Sequence, residues 1–250
     1  MIRSLALHDV PINSIAAMER WYHRDHAPEI VRRYGPWLAR LEGYLPVCAP
    51  PEVRGYGFYN WRLTEAWWRE VPSAGDEADL CFTPPPIQAR VAACFVPAQP
   101  TEVLVAGEFL PLDRAPLRWM VLIRYPQDVA LAEAEEWLLA VHGPQLAERG
   151  RVLRATSYEV TREVDKVPGR WCVDAVPPPD QAKTVWDRVV EMWFESFDDW
   201  GETVRASYTR PSWATGEGYP LADPSVDLAS TFILERPNDD YLRDLRGYVP

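Results

Sequence analysis

Residues 18–28 read Met-Glu-Arg-Trp-Tyr-His-Arg-Asp-His-Ala-Pro, and residues 134–144 read Ala-Glu-Glu-Trp-Leu-Leu-Ala-Val-His-Gly-Pro. The two stretches align without a gap, and a Glu, a Trp, a His and a Pro recur at a shift of 116 residues. The match resumes between residues 63–68 and 189–194, where the shift is 126 residues. Self-similarity at such a long period indicates that the chain is a fusion of two copies of one structural unit.

Hydrophobic patterning predicts the same succession of elements in both copies. In the first copy it predicts a helix at residues 13–26, a second near 87–94, and strands at 2–7, 38–47, 58–68 and 101–110. In the second copy it predicts helices at 128–142 and 197–206, and strands at 119–125, 152–164, 188–194 and 228–234. The β-α-β-β-α-β order predicts an α+β fold with two fused ferredoxin-like lobes. We expect lobes at residues 1–112 and 117–236, followed by a C-terminal tail at 237–250.

The composition restricts the classes of partner. The net charge of −11 disfavours nucleic acids and anionic membranes. The sequence has no apolar run of 18 residues and no signal-peptide pattern. Four cysteines without a Cys-x-x-Cys spacing predict buried, reduced thiols, so we expect a soluble cytoplasmic protein. The 12 tryptophans exceed the needs of a plain core and favour a pocket for a small hydrophobic or aromatic substrate.

Common nucleotide and hydrolase motifs are missing from the sequence. It contains no Gly-x-Gly-x-x-Gly after a strand, no Gly-x4-Gly-Lys-Ser/Thr and no Gly-x-Ser-x-Gly. Glu19, His23 and His26 do lie on one helix face, but without a His-Glu-x-x-His frame we expect a solvated Glu–His pair in preference to a metal site. We therefore predict a protein with no cofactor and no metal.

Two motifs resemble a known family. Trp-x4-His followed by Ala-Pro or Gly-Pro ends the first helix of each copy, and residues 191–200 read Glu-Met-Trp-Phe-Glu-Ser-Phe-Asp-Asp-Trp. Together they resemble the EthD-type branch of the dimeric α+β barrel superfamily. The first copy departs from the pattern at Pro72 and Ser73, where the second helix would begin. The resemblance implies that the antiparallel sheets of the two lobes pair face to face into an intrachain barrel with a ligand cavity inside. It also implies diverse activities, which include cofactor-free oxygenation, cyclisation, dehydration, isomerisation, decarboxylation and, in some branches, haem binding.

The histidines are the first candidates for chemistry. His26 and His142 each follow a helix and precede a proline, and we expect the first helix to break or kink after Ala27 and a short second segment to run from Pro28 to Tyr34. Each is either a general base or substrate anchor, or a structural residue at the helix corner. In the first strand, alternation with Leu5 and Leu7 toward the helices would place His8 inside the barrel. Its repeat partner at the 116-residue shift is Arg124, so the pair would form a base and an anion clamp, or else two solvated strand ends.

Carboxylates and aromatic residues on the third strands are the second set of candidates. Glu65 shares a strand face with Trp67, and Glu191 shares one with Trp193. Inside an apolar cavity each carboxyl would have a raised pKa and could move protons. The alternative is an ion pair with an arginine across the sheet interface. In the aromatic-rich stretch before Trp68 we choose Tyr56, Tyr59 and Trp61 as pocket contacts.

These observations predict an enzyme that acts on a hydrophobic or aromatic small molecule without a cofactor. The reaction would be proton transfer, as in a dehydratase, isomerase, cyclase or lyase. We expect His8 or His26 as the base, Tyr22 or Glu65 as the proton donor and Arg124 as the stabiliser of an enolate. The expected substrate contacts are Tyr56, Tyr59, Trp61, Trp67, His142, Glu191 and Trp193. The alternatives are an EthD-like monooxygenase, cofactor-free or haem-dependent, and a non-catalytic small-molecule-binding protein. Under each of these functions a homodimer is possible.

Overall fold

The computed structural model describes residues 1–72, 81–107, 115–162, 170–171 and 186–245. In the first half of the chain the strands are β1 (Ile2–Asp9), β2 (Leu38–Tyr44), β3 (Arg62–Trp68), β4 (Cys81–Phe82), β5 (Arg90–Pro97) and β6 (Glu102–Val105), and the α-helices are α1 (Ile15–Trp21) and α2 (Ala27–Tyr34). In the second half the strands are β7 (Leu117–Arg124), β8 (Arg154–Glu159), β9 (Arg170–Trp171), β10 (Arg188–Phe194), β11 (Asp227–Leu234) and β12 (Asp239–Asp240), and the α-helices are α3 (Leu131–Glu136), α4 (Gly143–Arg149), α5 (Phe197–Arg205) and α6 (Tyr241–Asp244).

The strands form two five-stranded antiparallel sheets. The first has the order β12-β2-β3-β1-β5, and the second has the order β11-β7-β10-β8-β6. β4 and β9 form a separate parallel pair. Helices and antiparallel strands follow one another along the chain, and the fold class is α+β with two ferredoxin-like lobes, as predicted. None of the helices in the described ranges is long and apolar enough to cross a membrane.

The two sheets exchange their edge strands. β6 precedes the second sheet in the chain, yet it pairs with β8. β12 follows the second sheet, yet it pairs with β2 of the first. The prediction that residues 101–110 close the first lobe was therefore wrong for β6, which belongs to the second sheet. The predicted boundaries at 112, 117 and 236 stay predictions.

The predicted helix near residues 87–94 is also wrong, because residues 90–97 form strand β5. Ala92, Cys94 and Val96 alternate along it and are buried, which is the period of a half-buried strand. The burial prediction for cysteines holds for Cys94, whereas Cys48 is exposed. Cys172 lies outside the described residues, and so does the side chain of Cys81.

The space between the two sheets is filled with side chains. Leu5 and Leu7 of the first sheet are fully buried there, and they share one core cluster with Met120 and Leu122 of the second. This contradicts the expectation that these two leucines face the helices. It also means that the described residues form a packed interior between the sheets, where the family resemblance implied a ligand cavity.

The chain stays helical across Pro28, so it does not break there, and the predicted segment from Pro28 to Tyr34 is the helix α2 (Ala27–Tyr34). α1 continues through a π-helical turn, Tyr22–His26, directly into α2. The second lobe repeats this with the π-turn Trp137–His142 between α3 and α4. A proline inside an α-helix clashes with the carbonyl four residues earlier, and the extra residue of a π-turn changes that spacing. Each lobe therefore carries its histidine at the end of a widened turn.

Candidate functional site

The strand register corrects the predicted partner of His8. His8 lies opposite Arg62 in the first sheet, and Ile123 lies opposite Arg188 in the second. Since the arginines are repeat equivalents at the 126-residue shift, the structural counterpart of His8 is Ile123. The helices repeat at 116 residues but the first strands repeat at 115, and a slip of one residue reverses the side-chain face. The expected His8–Arg124 pair is therefore wrong.

Arg124 lies at the end of β7, in the second lobe. Its guanidinium is 3.4 Å from the carboxylate of Asp227, and its side chain is partly exposed. His8 is on the face of the first sheet opposite to Leu5 and Leu7, and so points toward the helices. His8 and Arg124 therefore lie in different parts of the molecule.

On its helix side, the first sheet brings together three of the residues that we predicted to be catalytic. The ring of His8 lies 5.6 Å from that of Trp61. Tyr22 of the π-turn lies 5.9 Å from Trp61 and 5.3 Å from His26. The phenol of Tyr22 shares a hydrogen bond of 2.8 Å with the hydroxyl of Thr64. Two imidazoles and a phenol therefore meet at one place.

Strand residues that are accessible to solvent, most of them small, lie beside this group. Ala6 lies between Thr64 on β3 and Ala93 on β5, and paired residues of antiparallel strands point to the same face. Ser4 and His8 lie two residues to either side of Ala6 on that face. Ala93 is exposed, and the other four residues are partly exposed although β1 is a central strand. We call the space over these five residues the first-lobe hollow.

In the second lobe, described residues cover the corresponding surface. The counterparts of Ser4, Ala6, His8, Thr64 and Ala93 are Trp119, Val121, Ile123, Val190 and Ser230. All five are completely buried. Trp119 stacks on Phe232 with ring centres 5.4 Å apart, and Trp200 and Tyr56 pack against its edges. The protein's own aromatic rings thus fill in one lobe the space that is open in the other.

His8 and His26 are partly exposed, yet protein surrounds both rings, and this burial sets the protonation states in the hollow. It lowers the pKa of His8 to about 3, helped by the nearby His26 and by Arg62. It lowers the pKa of His26 to about 4. It raises the pKa of the Tyr22 phenol, although Arg62 opposes the shift. At neutral pH both imidazoles are therefore uncharged proton acceptors and the phenol keeps its proton.

His26 is held by aromatic rings. Trp21 stacks on it at 4.5 Å with an angle of 20°, and Phe82 lies 6.0 Å away. Trp21 also lines a surface groove of about 650 Å³ that runs past α1, with Arg20 and Arg24 at its rim. The hollow and the groove therefore lie beside different residues of the same π-turn.

The Glu19 carboxylate is not available to a metal. It accepts hydrogen bonds from Arg62 at 3.0 and 2.7 Å and from the indole of Trp61 at 2.5 Å. It lies 3.2 Å from His23, which is the Glu–His pair expected from the spacing. No group of three or more metal-binding side chains occurs in the described part of the chain.

His142 occupies the equivalent turn of the second lobe but is enclosed. Trp137 stacks on it at 5.1 Å, and its Nε2 lies 3.1 Å from the Tyr219 hydroxyl. The residue is fully buried, and burial lowers its pKa to about 3. With Tyr208 and Tyr219 packed around the ring, these residues do not fit a haem. His142 holds the helix corner, and it has no space for a substrate in this conformation.

Glu65 and Glu191 lie between the sheets, on the face away from the hollow. Arg118 donates to Glu65 at 2.8 Å, and Arg3 donates to Glu191 at 2.9 Å. Both carboxylates are buried. Burial raises the pKa of Glu65, which Arg118 and Arg3 offset in part, whereas for Glu191 the same arginines outweigh burial and the pKa falls. The arrangement is the inter-sheet ion pairing weighed as the alternative, and Glu65 is separated from Tyr22 by the sheet itself.

The predicted aromatic contacts are dispersed. Trp61 adjoins the hollow, whereas Tyr56 packs on the second lobe and Tyr59 belongs to the core between the sheets. Trp67 lies under the guanidinium of Arg40 at 4.5 Å, and the indole of Trp193 donates to Glu235 at 2.7 Å. The structure therefore brings one of these four aromatic residues of the first lobe to the candidate site.

Comparisons with known proteins give one family match. The family model of the chalcone isomerase N-terminal domain matches residues 1–83. No curated protein matches the chain. Similar solved structures include a mutant chlorite dismutase from Candidatus Nitrospira defluvii (12% identity, 100% of this chain and 95% of that chain, TM-score 0.46). An anthrone oxidase-like protein is similar at 11% identity over 96% of this chain and 94% of that chain, with a TM-score of 0.47. EthD-type membership stays a prediction.

Sequence reasoning missed Arg62 and Thr64, which contact Tyr22. A signal for Arg62 was present, because Arg62 and Arg188 recur at the 126-residue shift just as Glu19 and Glu135 recur at 116. The structure pairs each arginine with the glutamate of its own lobe. The hollow itself had no comparable signal, since it depends on which small residues the register places side by side.

Proposed function

We propose that the chain is an enzyme that moves a proton on an aromatic small molecule bound in the first-lobe hollow. The observation that carries the proposal is the meeting of His8, His26 and Tyr22 beside small, accessible strand residues. The second lobe supports it by contrast, because the same space there holds the ring of Trp119. A planar ring suits the corresponding space in the first lobe.

The proposed reaction begins with proton abstraction next to a carbonyl group. The neutral imidazole of His8 or His26 takes the proton, and the electron pair of the C–H bond moves to the carbonyl oxygen as an enolate. The Tyr22 phenol donates a hydrogen bond to that oxygen, while Arg62 lies 4.5 Å from the phenol ring. The protonated imidazole then returns its proton at another atom, which completes an isomerisation without an oxidant or a cofactor.

The match to the chalcone isomerase N-terminal domain is consistent with this proposal. It spans residues 1–83, and these contain the two histidines and the phenol of the hollow. That family is named after an isomerase, and isomerisation is one of the proton-transfer reactions expected from the sequence. Haem chemistry has no support from the described histidines, because aromatic rings enclose His142 and lie on three sides of His26.

Hydrogen exchange tests the proposal without knowledge of the natural substrate. The protein is incubated under nitrogen with flavanone, an aryl ketone with exchangeable hydrogens next to its carbonyl, in heavy water, and deuterium incorporation is followed by NMR. We expect exchange above background, lowered at least about 100-fold by Tyr22→Phe and by His8→Gln or His26→Gln. The matched control is His142→Gln, which changes the second-lobe counterpart of His26 and should leave the rate unchanged.

Two outcomes would contradict the proposal. Ligand binding with no exchange would indicate the non-catalytic binding protein that was the alternative from the sequence. Equal losses in His26→Gln and His142→Gln would show that the effect is structural. Oxygen uptake by the same mixture in air is scored separately, because it would indicate the monooxygenase alternative.

A further inference from the structure

Arg62 binds groups from separate parts of the chain. Its side chain is fully buried. It donates to both carboxylate oxygens of Glu19 on α1, to Asp239 at 2.9 Å and to the Tyr241 hydroxyl at 2.5 Å. The Nε2 of His23 lies 3.2 Å from the same guanidinium. A buried arginine with this many partners is costly to disturb, because removal of one partner leaves charge without compensation.

Two of these partners come from the far end of the chain. Residues 238–245, which we call the C-terminal strap, follow the second lobe and lie on the first. The amide of Asn238 donates to the Gly43 carbonyl at 2.9 Å, and its side chain accepts from the amide of Leu45 at 2.7 Å. Tyr241 and Leu242 are buried in the core of the first lobe. The strap is therefore part of the first lobe's structure.

Strand β2 leaves room for this network at Gly43. A Cβ atom there would lie 2.7 Å from the Arg62 guanidinium and 2.8 Å from the Tyr241 hydroxyl. Real Cβ contacts are longer, so any other residue would displace one of the two groups. The close packing of Arg62 and Tyr241 against strand β2 therefore requires glycine at position 43.

The network reaches the candidate site through Tyr22. The Arg62 guanidinium lies over the Tyr22 ring at 4.5 Å, and the Tyr241 ring lies 5.7 Å from it. Tyr22 in turn bonds to Thr64 and lies 5.3 Å from His26. The strap and Arg62 therefore form the support behind one wall of the hollow.

The second lobe contains an equivalent arginine network, but no candidate site beside it. Arg188 bonds to Glu135, the counterpart of Glu19, and to Glu102 on the exchanged strand β6. At the position of Tyr22 the second lobe has Leu138, which carries no polar group. In both lobes a buried arginine thus binds the exchanged segment. In the first lobe this arginine also contacts Tyr22, which lies beside the hollow.

We propose that the C-terminal strap positions the first-lobe site, with Asp239 and Tyr241 acting on Tyr22 through Arg62. That this is a catalytic site rests on the proposed function, whereas the positioning of Tyr22 and His26 is a property of the free protein. Without the strap, Arg62 loses two partners and Tyr22 loses its support. Water then reaches the rings around His26, which are those of Trp21, Tyr22, Phe82 and the nearby His8.

The test is a histidine NMR titration of full-length protein, which needs no substrate. In Asp239→Asn and in Tyr241→Ala we expect the pKa of His26 to rise from about 4 toward its ordinary value, since burial is what lowers it. Amide hydrogen exchange over residues 19–26 should accelerate about tenfold. The matched control is Glu102→Gln, which removes the equivalent partner of Arg188. It should change neither the pKa of His26 nor the amide exchange rates of residues 19–26.

Conservative rescue separates positioning from a general loss of stability. Asp239→Glu keeps the carboxylate and should restore the low pKa of His26. An unchanged pKa in folded Asp239→Asn and Tyr241→Ala would overturn the proposal, and so would an equal rise in Glu102→Gln. If Tyr241→Ala fails to fold, Asp239→Asn alone decides. A positive titration with no flavanone exchange would leave the positioning intact and refute only the proposed function.

Discussion

His142 should make the protein sensitive to acid by a predictable amount. The residue is fully buried, and its pKa is lowered from 6.5 to about 3 by burial. In the unfolded chain it takes up a proton as the pH falls through 6.5, whereas in the folded chain it stays neutral until about pH 3. The folded state therefore loses stability as the pH falls below 6.5, and a pKa difference of one corresponds to about 1.4 kcal/mol. At pH 5 the cost from this residue is about 2 kcal/mol.

The assay compares the wild-type protein with His142→Phe by urea unfolding at pH 7.5 and pH 5. The loss of the Tyr219 contact should lower the free energy of unfolding by about 1 kcal/mol at both pH values. His8 and His26 titrate in both proteins and cancel in the comparison. Between the two pH values the wild-type protein should therefore lose about 2 kcal/mol more than the variant. Equal losses would refute the reasoning, because they would mean that His142 titrates normally in the folded protein.

Three further predictions follow from the described contacts. Arg118→Met should destabilise the protein by about 3–5 kcal/mol in thermal or urea unfolding, because it leaves Glu65 buried without its closest partner; the double variant with Glu65→Leu should recover much of the loss. Ala6→Phe should fill the hollow and abolish flavanone binding in calorimetry, while circular dichroism stays unchanged. The pH profile of flavanone exchange should keep its activity down to about pH 4, since the pKa values of His8 and His26 are about 3 and about 4; a loss near pH 6.5 would contradict the assigned protonation states.

The repeat predicted most of the architecture. Strand β10 was predicted at its observed bounds, and the second lobe's other strands and α5 lie within a few residues of the predictions or inside them. The helix predicted near residues 87–94 failed because Ala-rich sequence has no strong strand propensity, and pairing with β1 decided the outcome. Strand exchange could not be predicted, because a short polar strand such as β12 has no hydrophobic pattern of its own.

The candidate site was predictable only in part. His8, Tyr22 and His26 were chosen from the sequence and the structure brings them together. The direction of His8 was wrong because Leu5 and Leu7 were assigned to the helix side, when the sheet-to-sheet core is the larger apolar surface in this fold. Arg124 was chosen from an alignment that was correct for the helix and one residue wrong for the strand. A single insertion between the two elements is invisible in hydrophobic patterning, yet it reverses every side chain of the strand.

The exchange of β6 and β12 bears on the order in which the protein forms during synthesis. β12 comprises residues 239–240, so the first sheet lacks this edge strand until the chain that follows the second sheet has been synthesised. In the second sheet the order is reversed, because its edge strand β6 is synthesised before β8, with which it pairs. Domains usually fold from the N-terminus as they appear, but here Arg62 gains Asp239 and Tyr241 only after the strands of both sheets other than β12 have been synthesised. We expect nascent chains shortened before residue 238 to expose the β2 edge and to depend on chaperones more than the finished protein does.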